Sequence, residues 1–496
     1  MSKHRDTGGG LKADSLGTFD SVVMAVAGCG PAYTVSATIP AVVAAVGVGS
    51  PAVLLYCAIP MVGIALAFRH LGRLDVNSGA AYSWVGRALH PVLGFLSGWA
   101  LIVSTTVFMV SSTLPAGNAT LSLLGRDPTG QVGLATAVGV GWFLVTALIV
   151  MLGARISAHA QTVITGAQLA LLTTVVVLAL ARDGNAADFS LSWFGFSHFD
   201  TQHTFASGAL IAVVCYWGWD VTGNLSEETR HNGRLAGLGG VLGVLVCAAI
   251  FVVFVIATNI LIGADAVRRS PADFLPVLGE AVWPGWGGRL LVLAALLSTV
   301  AALETTFIQS SRTLFAMGRD RTVPAAFSRI HPRRQTPWVA TVAVAGMALL
   351  LVAVSSSLGS GRKFVADAVN GMGLQVALYF ALVGVSCVVV HRRRLFDSPA
   401  ALLLMGVLPL CGALFMTWVV AVSVPAVGSG SLLIGLGALA LGLIPMIVSK
   451  RRGSPYFTPI PLHPERVGAL RERYSAPTAG PAHPVGGRRD DIFTDF

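Results

Sequence analysis

Charge is what this sequence has least of. Only 11% of its 496 residues are Asp, Glu, Lys or Arg, 54% are hydrophobic, and the mean hydropathy is +0.74. Soluble domains carry about 25% charged residues, so the composition excludes an ordinary soluble globule and leaves a polytopic membrane protein. Cysteine is scarce too. Cys29, Cys57, Cys215, Cys247, Cys387 and Cys411 all stand in apolar runs with no paired spacing, which argues against a disulfide framework or zinc site and makes them packing residues. No phosphate loop is present to capture nucleotide energy, and His70, His90 and His159 are scattered, with no His-Glu-x-x-His spacing for a metal hydrolase. These absences argue against an enzyme, and neither cofactor nor metal is expected. Repeated short pore loops, the mark of a channel, are missing as well. The start, MSKHRDTGGGLKADS, lacks the apolar core and cleavage site of a secretory signal, so the first span is expected to direct insertion.

What is present is a series of apolar spans. The fold expected is an all-α polytopic membrane protein of twelve transmembrane helices, at 16–47, 50–68, 91–115, 131–152, 159–181, 204–228, 235–262, 287–317, 337–357, 363–390, 399–422 and 430–448. The net charge of +10 raises the question of nucleic acid, but its distribution answers it. With the N-terminus inside, 26 of the 33 Lys and Arg fall on inside segments, the bias that orients spans in a bilayer. Both termini are therefore expected in the cytoplasm and the protein in the plasma membrane, with lipid and not nucleic acid as its surroundings. Residues 1–15 form a cytoplasmic tail, and 450–496, rich in proline, glycine and arginine, read as a disordered one. Basic loops at 69–87, 312–334 and 391–394 read as topological anchors. Gly239-x-x-x-Gly243 matches a close-packing motif in span seven.

Two spans are interrupted. In span six, Thr204 to Tyr216 is 13 residues, about 20 Å of helix and too short to cross. It then meets Trp217-Gly218-Trp219-Asp220 and a polar turn of Asn224, Ser226, Glu227 and Glu228. In span one, Gly28-Cys29-Gly30-Pro31 separates two apolar runs; Pro31 pushes Gly30 out of the α region and suits the first position of a new helix. Broken backbone at membrane depth is tolerated where it faces protein or a wet cavity. Two interrupted spans at corresponding positions of two halves point to a solute site.

Four stretches carry a family likeness: Gly28-Cys29-Gly30; Ser78-Gly79-Ala80-Ala81-Tyr82-Ser83-Trp84-Val85-Gly86-Arg87-Ala88 followed by Gly94-Phe95-Leu96-Ser97-Gly98-Trp99; Tyr216-Trp217-Gly218-Trp219-Asp220 ending in Glu227-Glu228-Thr229; and Ser311-Arg312-Thr313-Leu314-Phe315-Ala316-Met317-Gly318-Arg319-Asp320 with Val323-Pro324 and Thr336-Pro337. With this order and spacing the chain resembles the amino acid, polyamine and organocation superfamily of secondary carriers, of the amino acid permease type, from about Gly17 to Arg394. The resemblance implies a LeuT-like fold in which 16–182 and 204–391 are inverted five-helix repeats. Helices eleven and twelve follow at 398–449. It also implies alternating access for an amino acid or related amine held between the two broken helices.

An amino acid brings a carboxylate and an ammonium, and each needs a partner out of water. Amides of Cys29, Gly30, Ala32 and Tyr33, at the start of a half-helix, suit the anion, and Gly28 lets the backbone approach. Carbonyls of Val214, Cys215 and Trp217 suit the cation. Tyr216, Trp217 and Trp219 line the side-chain pocket or pack in the core, and aromatic faces attract cations. Asp220 either caps the second half-helix or meets substrate or proton. Glu227 and Glu228 are expected to form gate contacts with Arg or Lys. Glu304, amid an apolar span where a carboxylate costs roughly 3 kcal/mol, reads as a proton carrier, a counter-charge for a cationic substrate, or a buried structural partner. Ser298, Thr299, Thr305 and Thr306 offer hydroxyls to sodium, and Thr306 joins the expected substrate set. Gln168 stands where some proton-coupled relatives place a lysine, yet glutamine cannot cycle a proton. The reading is an amino acid carrier working by proton symport; the alternative is a polyamine or cationic amino acid exchanger, with Glu304 and Asp220 as its carboxylates.

Overall fold

A computed structural model describes residues 10–462, apart from 129, 182–188, 200–201, 231–233, 270–273, 358–360 and 427. Among these the only β-type pairing is an isolated bridge between Leu16 and Thr229; the rest is helix, turn and loop. Among the described residues ten stretches are long and apolar enough to cross a membrane: Ile39–Leu74, Pro91–Leu123, Val132–Leu152, Ala154–Leu178, Leu235–Leu261, Gly287–Arg319, Trp338–Ser357, Asp367–His391, Pro399–Val422 and Ser429–Arg451. The first of these includes the last helix of expected span one as well as span two. Several helices run a turn or two beyond the apolar stretch, as at Ser50–Leu74, where Arg69, His70 and Arg73 continue the ladder. Proline opens the helices at Pro51 and Pro91, where its missing amide hydrogen costs nothing.

Spans one and six are broken where expected. Span one runs as a helix over Thr18–Cys29, turns through Gly30 at φ +54°, and restarts over Pro31–Ala37 and Ile39–Val46. Asp20 accepts from the Gly17 amide at 2.8 Å, a favourable charge at a helix start. Span six is helical over Gln202–Cys215, unwinds through Gly218 at φ +106°, and resumes only as short turns at Val221–Asn224 and Ser226–Glu228.

Small residues let the spans close on one another. A Cβ on Gly239 or Gly243 of span seven would collide with Ser21 or Ala25 of span one, and one on Gly117 or Gly139 would collide with backbone carbonyls across the contact between spans three and four. In lipid, such close approach replaces the hydrophobic drive that packs helices in water. Span eight forms the axis: it is the most buried of the ten, whereas spans five and twelve lie largely exposed on the outside.

The near end of the bundle, where the N-terminal segment lies, is stitched by main chain. Ser15 and Leu16 amides donate to the Glu228 carbonyl at 2.9 and 3.1 Å, and the Arg230 amide donates to Leu16 O at 2.9 Å. One expectation is corrected here. Residues 450–462 are packed, not free: Tyr456 stacks on Tyr82 at 4.5 Å and donates to the Tyr82 carbonyl at 3.0 Å, Ser454 donates to Asp320 O, and the Leu462 amide reaches Arg87 O. Gly86 and Gly94 make room for the Tyr456 hydroxyl, a partner that composition alone does not reveal. Residues 1–9 and 463–496 lie outside the described residues.

Candidate functional site: a cavity between two broken helices

The two breaks meet. Gly28 and Gly218 are in direct backbone contact, so that a Cβ on either would overlap the other's carbonyl. Beside this contact lies a cavity of about 450 Å³, within the range of small-molecule sites. Span one lines it with Gly28, Cys29, Tyr33, Thr34 and Thr38, span six with Leu210, Ile211, Val214, Trp217 and Gly218, span eight with Ala302 and Thr306. Span three adds Phe108 and Ser111, and span ten adds Val369, Asn370 and Met372 to Leu374. An aromatic wall crosses it, with Phe108 edge-on to both Tyr33 at 5.6 Å and Trp217 at 5.7 Å.

Of the substrate residues expected from sequence, Gly28, Cys29, Tyr33, Val214, Trp217 and Thr306 are on the wall. Gly30, Ala32, Cys215, Tyr216 and Trp219 do not line it, and each has another occupation. The Gly30 amide closes back on Ala27 O at 3.1 Å, and the Ala32 amide donates to Gln168 Oε1 at 3.4 Å. Thr34 Oγ1 caps the Cys29 carbonyl at 2.8 Å, and the Trp217 amide takes the Val214 carbonyl at 3.3 Å. Cys215 is fully buried. Tyr216 donates to Leu54 O at 2.9 Å, tying span six to span two. Trp219 packs between Phe68 and Phe380.

Asp220 occupies the N-cap position of the second half-helix, yet its side chain makes no cap bond. Its Oδ2 instead accepts from Tyr379 of span ten at 2.9 Å. The capping role is thereby corrected: the Val221, Thr222 and Gly223 amides already donate to the Gly218, Trp219 and Asp220 carbonyls, and the carboxyl turns to a phenol on span ten instead. Glu304 faces span five and not the cavity; its Oε2 accepts from Gln161 Nε2 at 3.0 Å, and Oε1 is buried without a hydrogen-bond partner.

The near half is held by ion pairs. Arg312 grips Glu228 in a two-pronged pair, Nε to Oε2 at 2.9 Å and Nη2 to Oε1 at 3.2 Å, with both side chains buried. Arg319 meets Glu227 at 2.9 Å with the two side chains 24% and 19% exposed, and Glu227 also accepts from the Ser78 amide at 2.8 Å. Arg87 pairs with Asp75 at 3.1 Å. Asn224 donates both to Ser78 O and to Thr313 Oγ1. The Ser78 to Ala88 stretch therefore clasps the end of span six against span eight. Sequence reasoning missed Phe108, Ser111 and span ten; the run Asn370-Gly371-Met372-Gly373, a polar residue among glycines inside an apolar span, was the available signal.

A helical membrane bundle enclosing a solute-sized chamber between two broken spans defines a membrane transporter. The profile of the amino acid permease family matches residues 16–441, and the chain belongs to that family. Its relatives include transporters named for amino acids and for putrescine. It is 22% identical to the serine/threonine exchanger SteT of Bacillus subtilis over 301 residues, 59% of this chain and 65% of the relative, just under two thirds of that protein's length. It is 24% identical to an uncharacterized transporter of Mycobacterium tuberculosis over 442 residues, 88% of this chain and 92% of the relative. To the low-affinity putrescine importer PlaP of Escherichia coli it is 25% identical over 417 residues, 79% of this chain and 84% of the relative.

Proposed function

We propose that this protein is a secondary active transporter that carries an amino acid across the plasma membrane by alternating access, with both termini cytoplasmic. The observation that carries the reading is the chamber of about 450 Å³ set against the Gly28–Gly218 contact. Its lining falls in the middle and far half of the spans, while the Arg312–Glu228 and Arg319–Glu227 pairs occupy the near half. Substrate enters from the far side, and these pairs act as the near gate that parts to release it. Tyr33, Trp217 and Phe108 enclose the solute's side chain or ammonium.

The coupling ion is a proton, and Glu304 carries it. The carboxylate is fully buried in span eight, and none of the ion pairs among the described residues includes it. Such a group is costly in lipid unless it is protonated, paired or in a wet cavity. The second reading, exchange of a polyamine or cationic amino acid, draws support from the likeness to the putrescine importer PlaP. Proteoliposomes tested with radiolabelled serine, threonine, arginine and putrescine, with and without a pH gradient and with and without internal substrate, separate the two. Uptake driven by an inward proton gradient supports symport; uptake that needs internal substrate and ignores pH supports exchange. No uptake of label for any of the four probes, with or without internal substrate, rules out both.

A further inference from the structure

We propose that Tyr379, through which Asp220 acts at a distance, is a positioning residue that holds the Trp217 indole against the solute chamber; the inference rests on that chamber being the substrate site. Trp217 Nε1 donates to Tyr379 Oη at 2.6 Å, and Tyr379 Oη donates to Asp220 Oδ2 at 2.9 Å. Indole can only donate and a carboxylate only accept, so the phenol's single proton must point to Asp220 and its lone pair to Trp217. The polarity of the chain is thereby fixed. Tyr379 and Asp220 are fully buried and Trp217 is 6% exposed. Tyr379 is absent from the chamber wall, whereas Trp217 is part of it. The bond to the indole is thus its direct link to a residue of the wall.

The other side of the indole is set by Phe108, edge-on at 5.7 Å and 77°. Trp217 is thus fixed between an apolar neighbour on span three and a polar tether on span ten. It needs such fixing because it stands in unwound backbone, beside Gly218 at φ +106°, where no helical ladder restrains it. The tether also links the break in span six to the helix whose earlier turns, through Asn370 and Met372 to Leu374, line the same chamber. Span ten thus both lines the chamber and aligns its aromatic wall.

The test uses the full chain in proteoliposomes with radiolabelled L-serine, L-arginine and putrescine as probes. Tyr379→Phe removes both bonds and keeps the ring. For whichever probe the unaltered protein carries, KM is expected to rise roughly tenfold, the size of one lost hydrogen bond, with maximal rate changed less than about twofold. Asp220→Asn, whose amide oxygen still accepts, raises KM less than Asp220→Leu. In a Trp217→Phe background, Tyr379→Phe has no further effect, since coupled residues are not additive. A lowered maximal rate with unchanged KM, or effects of Tyr379→Phe and Trp217→Phe that simply multiply, overturns the proposal. A second measurement needs no substrate. The emission of Trp217, taken as the difference between unaltered and Trp217→Phe protein, shifts to the red and is quenched more by acrylamide in Tyr379→Phe. Unchanged emission and quenching overturn the positioning role even where no probe is carried; absence of uptake by the unaltered protein speaks instead against the transport reading.

Discussion

Gly28 and Gly218 touch backbone to backbone across the centre of the molecule, each occupying the space that the other's side chain would need. Overpacking at such a contact costs about 1–3 kcal/mol, and Gly218 adds a positive φ that side chains resist. Gly28→Ala and Gly218→Ala are each expected to lower uptake more than about tenfold and to lower Tm, with Gly218→Ala the more severe. Gly30→Ala should be milder: φ is +54° and the nearest atoms lie 3.4 Å away, so the cost is the left-handed conformation alone, about 1–2 kcal/mol. Uptake assays and thermal unfolding on the three variants check this order.

Arg312 and Glu228 form a dry pair. Removing one partner strands a buried charge, at roughly 3–5 kcal/mol, whereas replacing both with apolar residues is often close to neutral. Arg312→Ala is expected to lower thermal stability strongly, and the double variant Arg312→Met with Glu228→Leu to lower it less. The partly exposed Arg319–Glu227 pair is expected to contribute under about 1 kcal/mol and to weaken in high salt. Melting curves at low and high ionic strength check both statements.

Glu304→Gln keeps the shape that receives the Gln161 amide but cannot exchange a proton. Uptake in this variant is expected to lose its dependence on a pH gradient while exchange of internal for external substrate persists. Paired gradient and counterflow assays provide the measurement. Unaltered gradient dependence removes Glu304 from the coupling step.

Tyr456 packs on Tyr82 and fills the space above Gly86 and Gly94. Tyr456→Ala is expected to cost about 3 kcal/mol, the lower end for removing a buried aromatic ring, while Tyr456→Phe loses only the bond to Tyr82 O, about 1 kcal/mol. Thermal unfolding of the two variants separates ring from hydroxyl.

The breaks were legible because glycine and proline act locally: Gly30-Pro31 and Gly218 impose their turns whatever surrounds them. The acidic pair at the end of span six was legible too, since buried carboxylates need cations and Arg312 and Arg319 lay on the same expected side. What was hidden depends on side-chain direction across distant spans. Nothing along the chain says that Trp217 turns to the chamber while Tyr216 and Trp219 turn away to Leu54 and Phe380. Asp220 has the position and residue type of a cap, but the Val221, Thr222 and Gly223 amides bond to main-chain carbonyls, and its partner stands 159 residues away.

The three main-chain bonds joining Ser15 and Leu16 to Glu228 and Arg230 make one lever of two helix ends. The start of the first hydrophobic segment cannot tilt without dragging the close of the sixth, and with it the acidic side chains that Arg312 and Arg319 grip. Movement at either end is thus transmitted through peptide groups, which substitution of side chains leaves in place.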